Sequence, residues 1–133
     1  AVIGVCRVAA MTDVTGFGLA RHALNLAARC GFSGVHLTLD DIPLLAGAAE
    51  LSASGIASSL RDGNMRAVPE QHIAPDLAPE KTALLFDPQT SGGVLAAIPS
   101  TDAEPVIAAL ARLEGSLAVR IGRFTSVSGL TLS

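Results

Sequence analysis

Met11-Thr12-Asp13-Val14-Thr15-Gly16-Phe17-Gly18 runs from an apolar stretch through a carboxylate and a Thr-Gly turn into a helical pattern. Upstream, Val5 to Met11 is apolar enough to predict a buried strand, which Thr12 to Gly16 then breaks. Downstream, Phe17 to Cys30 predicts a helix: Leu19, Ala23, Leu26 and Cys30 fall on one stripe, with Arg21, Asn25 and Arg29 opposite. Gly31 closes it. Backbone N–H groups at such a helix start, aided by the helix dipole, receive phosphate oxygens, and glycine lets a ligand approach the main chain. Asp13 can hold Mg2+, a hard cation that takes one or two carboxylates and completes its shell with phosphate and water. The alternative is structural, with an Asp and a Thr that only cap the helix.

A second polar segment, Asp87-Pro88-Gln89-Thr90-Ser91-Gly92-Gly93, lies between two apolar runs, Thr82 to Phe86 and Val94 to Ile98, both of which predict strands. Gly92 and Gly93 permit positive φ and close backbone approach, and Thr90 and Ser91 add hydroxyl donors suited to an anion. The segment lacks the Lys of a P-loop. A tight inter-strand turn is the competing reading.

The rest of the chain supplies a scaffold. Ser33 to Leu39 alternates as a half-exposed strand, and Pro43, Leu44, Leu45, Ala48 and Leu51 predict a short helix ended by Gly55. From Gly55 to Pro79 the pattern is irregular; within it, Arg61-Asp62-Gly63-Asn64-Met65-Arg66 offers guanidinium and amide donors, or surface charge on a turn. Thr101 with Glu104 resembles a capping box, followed by a helix face of Val106, Ile107, Leu110 and Leu113 and a stop at Gly115. Leu117 to Ile121 and Val127 to Leu132 predict the last strands, around Gly122, Ser126 and Gly129. With no internal repeat or linker, residues 1–133 read as a single domain. The fold class expected is α+β, a three-layer α/β/α arrangement with helices on both sides of a mixed sheet.

Half of the residues are hydrophobic, but only four are Phe and none is Trp or Tyr, so the core must be aliphatic. The net charge is −3 and the basic residues are scattered from Arg7 to Arg123, which excludes a nucleic-acid footprint. The apolar start is too short and interrupted for a membrane span. Cys6 and Cys30 match no disulfide or metal spacing, so a reducing, cytoplasmic setting is expected. His22, His36 and His72 show no zinc spacing, and His22 reads as an exposed helix residue. No nucleophile or base is evident. The first residue, Ala1, reads as a boundary inside a longer protein.

The two polar segments, in this order, resemble the signature segments of the C-terminal domain of the selenophosphate synthetases (selenide, water dikinases). The resemblance continues through the His22 helix, Leu37 to Pro43 and Gly63-Asn64-Met65 to Ser133. The wider superfamily includes aminoimidazole ribonucleotide synthetase, hydrogenase maturation protein HypE and thiamine phosphate kinase. It pairs an N-terminal domain that binds ATP and forms the dimer with a C-terminal α/β domain of partly ferredoxin-like topology. The resemblance therefore implies that residues 1–133 are the second domain of such an enzyme, without the ATP-binding half, partnered by that half and homodimeric at full length. It implies a metal role for Asp13 with Mg2+, and phosphate-proximal roles for Thr15, Gly16, Gly18, Asn64, Thr90, Ser91, Gly92 and Gly93. The reaction implied converts ATP, selenide and water to selenophosphate, AMP and phosphate. The reactive Cys or selenocysteine and the essential Lys of that family precede this stretch, so neither Cys6 nor Cys30 inherits their role. In the middle loop only Asn64 matches well, leaving Arg61 and Arg66 unassigned. The rivals are another ATP-dependent enzyme of the superfamily and a stand-alone ligand-binding or dimerisation module.

Overall fold

A computed structural model describes residues 7–68 and 70–133. In chain order the elements are β1 (Ala10–Asp13), α1 (Gly18–Arg29), β2 (Gly34–Leu37), α2 (Ala48–Ala53), α3 (Arg61–Arg66), β3 (Gln71–Ile73), α4 (Pro79–Leu84), β4 (Val94–Ala97), α5 (Ala103–Leu110), β5 (Gly122–Thr125) and β6 (Gly129–Leu132). They form a mixed α/β fold around a mixed sheet, as expected. Four strands lie in the order β3-β6-β2-β5, with β2 and β3 parallel to β6, and β5 antiparallel to β2. A separate two-stranded antiparallel sheet joins β1 to β4.

Strand alternation explains where the core sits. Val35 and Leu37 on β2 and Leu130 and Leu132 on β6 are buried on one face, where α1 covers them with Leu19, Ala20 and Ala23. Val68, Leu85 and Phe86 close the same cluster, and Phe86 is fully buried at 0% exposure. Phe86 thus provides the one large aromatic volume in an otherwise aliphatic core. On the opposite face the register aligns His72, Thr131, His36 and Arg123 in one row across all four strands. His36 Nε2 lies 2.8 Å from the Ser133 hydroxyl.

β5 and β6 are consecutive in sequence but flank β2 instead of pairing with each other. The three residues between them therefore pass over the start of β2. Their closeness is visible at Gly34, where an added Cβ would collide with the carbonyl oxygens of Val127 and Gly129. Backbone on both sides leaves nothing soft to yield.

Several sequence expectations change here. Thr82 to Phe86 is not a strand: Pro79 occupies the first turn of α4, Thr82 N–H bonds to Ala78 C=O at 3.0 Å, and the apolar run leaves the helix end for the core. A run that short carries no periodicity to separate helix from strand. The helix expected from Pro43 begins only at Ala48, after Gly47 in the left-handed region, and Leu45 is 86% exposed. Gly55 does end it, with φ +87. The irregular stretch holds α3 and β3. Leu117 to Ile121 is not a strand; β5 begins at Gly122, opposite Leu37. The capping box does not form, because Ser100–Asp102 is a 3-10 turn and the Thr101 hydroxyl donates to Asp102 Oδ1 at 3.0 Å. The first strand is exposed at Met11 rather than buried, and the Val5 and Cys6 positions lie outside the described residues. β4, read as fully apolar, is likewise exposed at Val94. α1 falls where periodicity put it; β2 is shorter than expected, α5 ends at Leu110, short of the exposed Leu113 and of Gly115, and β6 begins at Gly129, leaving Val127 exposed outside it.

The crossing at Gly34 generates a paired expectation. Gly34→Ala should lower unfolding stability by about 1–3 kcal/mol, as overpacking against rigid neighbours does. Gly63→Ala, in the exposed α3 with open space around it, should raise stability by about 0.5–1 kcal/mol. Urea unfolding of both variants checks the signs, and equal midpoints would count against the crossing.

Candidate functional site

The two polar segments meet. Their junction starts from the β1–β4 ladder, whose last pair is Asp13 with Val94, and continues into the turns. Val14 N–H bonds to Gly93 C=O at 3.0 Å, and Gln89 N–H bonds to Thr15 C=O at 3.1 Å. Behind them, α1 is seated on the end of α4: Ala20 N–H bonds to Leu85 C=O at 3.0 Å.

The four motif glycines divide into two kinds. A Cβ on Gly18, which has φ +73, would come within 2.7 Å of Leu85 O, and one on Gly92 would strike Val14 O and Gln89 Oε1. At Gly92 the close approach is to the first segment, and at Gly18 it is to the end of α4 just before the second segment. Gly16 and Gly93 have nothing within 4 Å of an added Cβ and are exposed, so their main chain is open to a ligand. Neither Gly92 nor Gly93 has positive φ, contrary to the expectation, because the segment runs straight into β4 instead of turning back.

Asp13 is exposed, and among the described residues its carboxylate has no ion pair or hydrogen-bond partner. It does not cap α1. The N-cap position is Phe17, which makes no side-chain capping bond, so the capping reading of the first motif fails. The second motif links α4 to β4, so it is not an inter-strand turn. Thr90 and Ser91 are exposed beside Gly93. Among the described residues, the N–H groups of Gly16, Phe17, Ser91, Gly92 and Gly93 find no protein acceptor. The Gly18 N–H, in contrast, is taken by Thr15 C=O at 3.1 Å. The free donors of the first motif therefore lie just before the helix, not in its first turn.

Asn64 and His22 sit differently from expectation. One amide nitrogen of Asn64 donates to Gly16 C=O at 3.0 Å and to Phe86 C=O at 2.9 Å, bridging the first segment and the end of α4. His22 is half-buried, not exposed: its Nε2 accepts from Thr15 N–H at 3.1 Å and lies 3.3 Å from the Thr15 hydroxyl. The signal for it was present, since Gly18 and His22 are four residues apart and so share a helix face. Arg61 pairs only with Asp62, at 3.8 Å, and neither it nor Arg66 bonds to either motif among the described residues. Asp87 Oδ1 accepts from Ser58 N–H at 3.4 Å, tying the middle loop to the second segment.

Among the described residues, no three His, Cys, Asp or Glu side chains could hold a metal ion together. Asp13 is the carboxylate that the junction leaves without a protein partner among the described residues. An open, mainly apolar groove of about 300 Å³ between α2, α4 and the 56–58 loop borders Pro88 but offers few donors for an anion. No helix among the described residues is long and apolar enough to cross a membrane.

The fold has counterparts. Residues 3–133 match the family described as AIR synthase related protein, C-terminal domain, and this chain belongs to that family. Within it, the chain is similar to selenide, water dikinases: 41% identical over 100 residues to that of Nitratidesulfovibrio vulgaris (73% of this chain, 28% of the relative) and 40% over 124 residues to that of Salmonella typhi (92% and 34%). The chain thus spans about a third of the length of the curated relatives it matches. Among solved structures, the E. coli hydrogenase maturation protein HypE superposes with a TM-score of 0.62 over 94% of this chain and 31% of that one. At 23% identity, that likeness bears on the fold alone.

The division of the glycines is testable in one pair of variants. Gly92→Ala should cost about 1–3 kcal/mol by forcing β1 and the second motif apart. Gly93→Ala should change stability by no more than about 0.5 kcal/mol. Thermal or urea melts measure both, and equal losses would contradict the contact at Val14.

Proposed function

We propose that this chain is the phosphate-facing domain of a selenide, water dikinase, working with an ATP-binding domain of the same protein. The whole enzyme would convert ATP, selenide and water to selenophosphate, AMP and phosphate. The observation that carries this reading is the Val14 to Gly93 bond, which sets an unpartnered carboxylate beside two turns with free N–H groups. Such donors can receive phosphate oxygens without a Lys. Similarity of about 40% to enzymes of that name supports the choice of reaction over others in the superfamily.

Asp13 would hold Mg2+ together with carboxylates of the ATP-binding domain. When bound, the ion neutralises charge on the phosphate chain. Around it, the N–H groups of Gly16 and Gly93 would orient phosphate oxygens, the hydroxyls of Thr90 and Ser91 would add donors, and the Thr15 hydroxyl would stand next to them. Gly18, Gly92 and Asn64 would act from behind by holding the two turns in register. The free Cys30 thiol supports a reducing, cytoplasmic setting, and homodimerisation would belong to the ATP-binding half.

Two outcomes are expected. In the full-length protein, Asp13→Asn should leave the melting temperature nearly unchanged, because the side chain is exposed and caps nothing. It should reduce selenide-dependent AMP formation by about 10²-fold, the scale of losing one electrostatic contact to the transferring group. Wild-type turnover at saturating ATP and magnesium would sink the metal assignment. The 133-residue chain alone should bind magnesium–ATP only weakly and release no AMP; calorimetry and phosphorus NMR check this, and micromolar affinity would mean a self-contained site.

A further inference from the structure

Every main-chain polar group of the Thr15 residue is already used. Its N–H is taken by His22 Nε2, and its C=O accepts from both Gln89 N–H and Gly18 N–H. The next carbonyl, Gly16 C=O, accepts from the Asn64 amide, which reaches across to Phe86 C=O with the same nitrogen. The turn that follows Asp13 is thus gripped from two sides. His22 holds it from α1, and Asn64 holds it from α3 while fastening the same carbonyl to the end of α4. What remains free at the turn is the donor edge, the N–H groups of Gly16 and Phe17.

We infer that His22 and Asn64 are positioning residues: they fix the Thr15–Gly16 turn so that Asp13 and the free N–H groups face one ligand, and neither touches that ligand. This rests on the phosphate-facing reading above. The chemistry of each bond supports it. A backbone N–H can donate to Nε2 only where that nitrogen carries a lone pair, so the proton of the neutral ring sits on Nδ1. A ring in that form serves as an acceptor to the backbone and has no proton on Nε2 to give to a phosphate. The Asn64 nitrogen, with two hydrogens and two carbonyl acceptors, has spent its donor capacity on the protein. Both side chains are only half-buried, so packing alone does not account for them. The Phe17 ring lies 6.0 Å from the His22 ring and is tilted by 50° to it.

The test uses two readouts that do not depend on each other. In this chain, nitrogen NMR should find His22 with its proton on Nδ1, and the Thr15 amide should show a bonded shift that disappears in His22→Phe and survives in His22→Gln, whose side-chain oxygen reaches the same point. In the full-length protein, His22→Phe and Asn64→Asp should lower kcat for selenide-dependent AMP formation by about tenfold or more, as small misplacements of reacting groups do. Asn64→Asp keeps the shape and removes both donors. Melting temperatures report separately on folding, and His22→Gln should restore kcat to near the wild-type value. A proton on Nε2, a normal kcat in His22→Phe, or a His22→Gln variant as slow as His22→Phe would each overturn the inference. If the wild-type protein forms no AMP from ATP and selenide, the proposed reaction fails; the grip on the turn is then decided by the NMR result alone.

Discussion

Two main-chain hydrogen bonds, Val14 to Gly93 and Gln89 to Thr15, carry the β1–β4 ladder beyond its last strand pair and bring distant turns into contact. Main-chain bonds of this kind do not choose their partners by side chain. Their register is imposed from below, by Val14, Ala20, Leu85 and Phe86, which are nearly or fully excluded from solvent. A one-residue slip would turn Val14 out to water and Asp13 into the core, which is costly in both directions. The core therefore decides which carboxylate faces outward.

Much of this was readable from residue order. Long periodic stretches such as Phe17 to Cys30 declared a helix because a wide apolar stripe has only one periodic explanation. The polar segments declared themselves through glycine next to hydroxyl and carboxylate residues. Short apolar runs did not. Thr82 to Phe86 fits a strand by composition, and only Pro79, preset for a first helical turn, argues for α4. β5 was misplaced because Gly122 looked like punctuation; it is a strand residue where the chain passes close to His36 C=O.

The contacts that shape the site were the least legible. Asn64 lies 48 residues from Gly16 and 22 from Phe86, and nothing in local sequence says that its amide spans both. The same holds for glycine: of four chosen as ligand-facing, Gly18 and Gly92 are needed by the protein itself, and only the packing of Leu85 and Val14 against them reveals it. A glycine in a polar motif records that something comes close, without saying whether it is substrate or backbone.

The placement of β2 between β5 and β6 has a consequence for synthesis on the ribosome. β2 is made early, but both of its neighbours in the sheet come from residues 122–132, and Leu39 N–H waits for Ser133 C=O. Until that segment has left the exit tunnel, β2 has two bare edges and Val35 and Leu37 lack half of their surroundings. Such an intermediate invites pairing with other chains. α1, complete long before, can shield one face of it but neither edge. β5 and β6 come late and together, so both bare edges of β2 are covered in a single late step, which leaves β3 and β5 as the edges of the sheet.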